Sequence, residues 1–109
     1  MDKVKEIKIA DDFSKDPGPR FIELGPFSGE MFRDTLLVPA LKGHDKVIVD
    51  LQTKINSYGS SFLEEAFGGL IRNKLISIDE LRSKLSIKAD KSSYGDEIWK
   101  FIDDAVRNL

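Results

Sequence analysis

Lys46-Val47-Ile48-Val49-Asp50-Leu51, a polar connection from Gln52 to Gly59, and then Ser60-Ser61-Phe62-Leu63-Glu64-Glu65-Ala66-Phe67-Gly68-Gly69-Leu70-Ile71-Arg72 form the stretch that decides the fold. Val47, Ile48 and Val49 are consecutive β-branched residues. That pattern predicts a strand covered on both faces, as in the middle of an α/β sheet. Phe62, Leu63, Ala66, Phe67, Leu70 and Ile71 recur at helical spacing and predict an amphipathic helix from Ser61 to about Lys74. Ser61 with Glu64 three residues on fits a capping box.

Working outward, Val4 to Ile9 reads as a first strand, and the turn cluster Asp16-Pro17-Gly18-Pro19 follows it. Arg20 to Leu24 reads as a second strand paired with the first. Gly25-Pro26-Phe27-Ser28 breaks that strand. Ser28 caps a helix, with Glu30 in its first turn, that is kinked near Pro39 and ended by Gly43. Downstream, Ser77-Ile78-Asp79-Glu80 opens a short helix to Leu85. Leu85, Ile87 and Ala89 alternate as an edge strand. Ser93 to Asp96 starts an amphipathic C-terminal helix carrying Ile98, Phe101, Ile102, Ala105, Val106 and Leu109. Strands alternating with helices imply an α/β domain: a mixed sheet of about four strands with helices packed on it.

The 109 residues make one domain, 1–109, long enough for a core without staples. An apolar content of 40% and a charged content of 33% fit a globular chain. The chain has no cysteine, which excludes disulfides, thiolate metal sites and cysteine nucleophiles. The net charge is −2 and the charges are interleaved, which argues against nucleic acid or an anionic membrane as partner. Residues 1–12 lack the apolar core of a signal peptide, and the longest apolar run, Leu36 to Leu41, is far short of a membrane span. The expected location is the cytoplasm.

Catalytic patterns are wanting. His44, the single histidine, follows Gly43 in a polar connection and reads as a surface residue. The acidic pairs Asp11-Asp12, Glu64-Glu65 and Asp103-Asp104 read as solvated faces rather than metal ligands. No metal and no cofactor is expected, and the chain is expected not to be an enzyme. Gly25 to Gly29 precedes a helix and reads as a tight turn. The alternative is a small-ligand or nucleotide site on the helix amides.

Two features carry an interaction reading. Gly68-Gly69 interrupts the apolar helix. It reads as close packing on the sheet beneath, as an early helix end, or as a flat patch that admits a partner's backbone. Asn56 to Ser61 supplies hydroxyls beside a helix N-terminus. Ser61 is then a cap, or Ser60 and Ser61 are phosphoacceptors whose phosphate would meet backbone amides next to Glu64 and Glu65.

The string Val47 to Leu51 followed by Ser60 to Leu70, together with Arg20 and Gly25-Pro26-Phe27-Ser28-Gly29-Glu30-Met31-Phe32-Arg33, resembles the bacterial STAS-like domain family. That family is itself similar to anti-sigma-factor antagonists. The resemblance spans about residues 5 to 75. It implies a STAS-like fold and a regulatory domain that docks on, and is phosphorylated by, a histidine-kinase-like ATPase or anti-sigma-like regulator. Asp50 matches the strand-end acid. Ser60 matches the phosphoserine, with Gly59 in place of the acid that normally precedes it. The expected partner surface is Asp50, Tyr58, Gly59, Glu64, Glu65, Gly68, Gly69 and Arg72, with Ser28, Glu30 and Arg33 nearby. A homodimer burying the C-terminal helix, or the edge strand near Ile87, is a further expectation.

Overall fold

The computed structural model describes residues 3–52, 58–89 and 92–109. Three strands pair in the order β1 (Val4–Lys8), β2 (Lys46–Leu51), β3 (Leu85–Ala89), and both pairings are parallel. Between β1 and β2 run Gly29–Phe32, a π turn at Arg33–Leu37 and Val38–Gly43, continuous as one helix, α1 (29–43). Between β2 and β3 run Ser60–Leu63, a second π turn at Glu64–Gly68 and Gly69–Arg72, likewise one helix, α2 (60–72). A short helix, α3 (Ile78–Lys84), follows, and α4 (Ser92–Arg107) closes the chain.

The sheet differs from expectation in two ways. Among the described residues it is parallel throughout and has three strands. The stretch Arg20 to Leu24, expected to be a strand, instead forms a 3-10 turn at Ile22–Leu24 inside a closed loop. Glycine, proline and long-range hydrogen bonds outweigh its strand propensity. Gly18 donates to the Phe27 carbonyl at 2.8 Å, and Gly29 and Glu30 donate to the carbonyls of Pro19 and Arg20 at 2.9 and 3.0 Å.

The central strand is covered on one face only. Val47, Val49 and Leu51 are buried, while Lys46 is exposed and Ile48 and Asp50 are half-buried. In register with those three lie Val4, Glu6 and Lys8 on one side and Ser86 and Lys88 on the other. Lys88 Nζ lies 3.8 Å from both Glu6 and Asp50. A run of β-branched residues therefore does not require two covering layers. The parallel sheet has its helices against a single face, where α1 and α3 pack on β2 and α4 packs on β3 and α2.

The core under the helices joins Ile7, Val47, Val49 and Leu85 of the sheet to Phe32, Leu37, Phe62, Phe67, Leu70, Ile98 and Ile102. Phe13, Phe32, Phe62 and Phe67 make a chain of tilted and edge-on ring contacts with centroids 5.3–6.4 Å apart. Such arrangements add to simple burial. Ser28 caps α1 as expected, its Oγ accepting from Met31 N at 3.0 Å. The π turn in α1 widens the helix just ahead of Pro39, which has no N–H to continue the ladder. Among the described residues, no helix is long and apolar enough to cross a membrane.

Candidate functional site

The two π turns face each other, and charged side chains fill the space where α1 crosses α2. Arg33, 7% exposed, donates through Nη1 to Glu65 Oε2 at 2.5 Å and to the Glu65 carbonyl at 3.2 Å. Its Nε donates to Asp34 at 2.9 Å. Glu65, 5% exposed, also accepts from Arg72 Nη2 at 2.9 Å. Glu64 is paired with Arg20 on one side and with Arg72 Nη1, at 2.7 Å, on the other. Exposure rises outward through this cluster, from Glu65 and Arg33 to Glu64, Arg20 and Arg72.

The electrostatics follow from that gradient. Burial opposes ionisation of Glu64. Hydrogen bonds from Arg72 and Arg20 outweigh it and hold the carboxyl below its ordinary range. Arg72 is held protonated by its hydrogen bond to Glu64, against the cost of burial. A buried pair such as Arg33–Glu65 is expensive to break from one side, about 3–5 kcal/mol, because a charge is left without a partner.

This cluster explains Gly68-Gly69. A Cβ on Gly69 would fall 2.5 Å from Arg33 Nη1, and one on Gly68 would collide with the Glu64 carboxylate. Both glycines are buried and the helix runs through them. The flat patch expected to admit a partner's backbone is already filled by the protein's own arginine and glutamates, and the expected early helix end does not occur.

Other expected site residues separate into buried and exposed groups. Tyr58 is 7% exposed. Its hydroxyl donates to the Gln52 carbonyl at 3.3 Å, its amide donates to Tyr94 Oη at 3.3 Å, and the two rings meet edge-on at 5.4 Å. Burial pushes its phenol well above the ordinary value, with smaller contributions from the Asp50 charge and Tyr94. Tyr58 therefore fastens α4 to the chain just before α2 and offers a partner little surface. Ser28 is buried in its cap, and Arg33 and Glu65 are buried in their ion pair. Glu30 accepts from Ile22 N at 2.9 Å. His44 Nδ1 lies 2.9 Å from the Ala40 carbonyl, which accepts a hydrogen bond from it.

The exposed group is Gly59, Ser60, Ser61 and Arg72, with Asp50 and Glu64 partly exposed. The Ser61 capping box does not form. Gly59 is the cap residue and has no side chain to accept from the helix amides, and Ser60 and Ser61 occupy its first two positions. Glu64, the other half of that box, is engaged by Arg20 and Arg72 instead. Asn56 and Ser57 lie outside the described residues.

The Gly25 to Gly29 turn cannot hold a phosphate on the amides that open α1. Those of Gly29, Glu30 and Met31 already donate to Pro19, Arg20 and Ser28. The nucleotide reading falls with them. Among the described residues, no group of three or more His, Cys, Asp or Glu could hold a metal ion.

Arg20 belongs to the charged cluster although the spacing of the sequence does not place it there. Its signal was the loop itself: a Pro-Gly-Pro turn that returns to the Ser28 cap holds residue 20 beside the start of α1, where that helix crosses α2 and its Glu64. Comparison with curated proteins and with solved structures finds no significant match. A family model described as the STAS-like domain of unknown function (DUF4325) matches residues 28–94, which hold all of α1, the sheet pair β2–β3, and α2 with both of its glutamates. The chain belongs to this STAS-like domain family.

Proposed function

We propose that the protein is a non-enzymatic regulatory module that docks on a protein partner through the first turns of α2. The partner class would be a histidine-kinase-like ATPase or an anti-sigma-like regulator. The switch would be phosphorylation of Ser60 or Ser61. The observation that carries this reading is the exposure of Ser60 and Ser61 at the start of a helix whose cap residue is a glycine.

The chemistry is favourable. A phosphate there carries about −1.5 to −2 charges and meets the positive end of the helix dipole. One turn on, Glu64 already holds Arg20 and Arg72. A phosphate would compete with Glu64 for Arg20, so modification would alter the charge of the surface without disturbing the core. Gly59, Arg72 and the exposed part of Glu64 would rim the contact. Membership of a STAS-like family agrees with an interaction role.

The test uses purified protein, candidate ATPases encoded beside it, and ATP, with phosphosites mapped by mass spectrometry. The expected result is phosphate on one of the two serines, and partner binding that changes on modification. Ser60→Ala and Ser61→Ala made separately should identify which. Absence of both binding and modification across those candidates would overturn the reading.

A further inference from the structure

Four of the exposed large apolar side chains stand on a single loop: Phe21, Ile22, Leu24 and Phe27, between 38% and 63% exposed. The loop is not slack. Leu24 donates to Phe21 at 3.0 Å, Gly25 to Ile22 at 3.2 Å and Gly18 to Phe27 at 2.8 Å, and the Glu30 carboxylate accepts from Ile22 N. Phe27 has a left-handed backbone, φ 54°, and packs edge-on against Phe13. A rigid apolar knob loses little freedom on docking, and an exposed apolar patch marks a contact surface.

The same molecule carries a matching hollow. At the far end of α2, Ile71, Ile76, Ile78, Val106 and Leu109 line a groove of about 430 Å³. Lys74 carries the one charged side chain of its lining. On the knob, Glu23 is the one charged residue from Phe21 to Phe27, and it is exposed between Ile22 and Leu24. Knob and groove are therefore alike in apolar character and opposite in charge. The loop leads into Gly29, which touches Phe62, whereas the groove includes Ile71. Those two residues of α2 are about 13 Å apart along the helix axis. The knob of one molecule cannot fill its own groove.

We infer that the knob Phe21–Phe27 of one copy seats in the Ile71–Ile78 groove of a second copy, with Glu23 against Lys74. This contact joins unlike patches, so each added copy leaves one free knob and one free groove, and copies add head to tail. The contact uses neither Ser60 nor Ser61 and stands apart from the proposed phospho-regulation.

Sedimentation analysis of the full chain tests it. The wild type should gain mass with concentration below about 1 mM, the weak end of useful affinities. Leu24→Asp, in the knob, and Lys74→Glu, in the groove, should each weaken association about tenfold or more. Both positions are exposed, and circular dichroism checks that each variant is folded. An equimolar mixture of the two retains one intact knob and one intact groove, so it should form a dimer and stop there. Glu23→Lys combined with Lys74→Glu should restore the growth that either change alone removes. A wild type that stays monomeric at about 1 mM overturns the inference. So does a Leu24→Asp variant that associates like the wild type, which would assign the knob to some other partner, or a mixture that forms no dimer.

Discussion

The starts of α1 and α2 present the same physical problem, since the first amides of any helix have no carbonyl behind them. At α1 the problem is solved three times over. Ser28 accepts from Met31, the Pro19 and Arg20 carbonyls accept from Gly29 and Glu30, and Ser28 and Gly29 are buried, with Gly29 against Phe62 of α2. At α2 the cap is Gly59, with no side-chain oxygen, and the two serines that follow point outward. A helix start that is closed from every side serves the fold. One whose cap is a glycine, beside two exposed serines, presents hydroxyls to something outside it.

The sharpest way to break this contrast is at Gly29. A Cβ there would run into the backbone of Phe62, so Gly29→Ala should cost about 1–3 kcal/mol in urea unfolding as the two helices are forced apart. A variant as stable as the parent would show that the start of α1 is not pinned. The paired change Ser28→Ala and Ser61→Ala sharpens the contrast directly. The first should lose about 1 kcal/mol with its cap bond, and the second should stay within about 0.5 kcal/mol. Equal losses would mean that α2 is capped after all.

The smallest effect concerns Glu64. Its carboxyl is held below the ordinary value of 4.5, so the folded state favours its charged form. The stability it adds is complete above about pH 4.5 and fades as the pH falls through its lower folded value. Glu64→Gln should lower stability modestly at neutral pH and converge with the parent as the pH falls, which flattens that part of a pH–stability curve. An unaltered acid limb would mean that Arg20 and Arg72 contribute nothing through this residue.

These cases also separate what the sequence makes legible from what it hides. The three strands, the long helices and the Ser28 cap follow from local periodicity and local capping chemistry, which act over a few residues. The misreadings all depend on distant groups. Arg20 to Leu24 alternates like a strand, yet Glu30 binds it at both the Arg20 carbonyl and the Ile22 amide. Ser61 and Glu64 have the spacing of a capping box, yet two arginines from other parts of the chain claim the glutamate. Gly68-Gly69 invites an outside partner only until Arg33 is known to lie across it. The β-branched run at Val47 suggests two covers, but strand propensity measures half-burial as readily as full burial. The knob escaped notice because apolar residues on a loop look the same as apolar residues in a strand.

The π turns in α1 and α2 have a consequence for how this sequence can change length. Each turn holds one residue more than an ordinary helical turn would. Deleting that residue would leave an ordinary helical turn, and what lies beyond would keep nearly its present direction, because the wide turn has already absorbed the extra residue. Arg72 would still meet both glutamates, and Ala40 and Leu41 would stay in the core. The same deletion in the regular turns on either side would swing everything beyond by about 100°. The π turns are therefore the places where these two helices can change length without losing the contacts at Arg33 and Glu65.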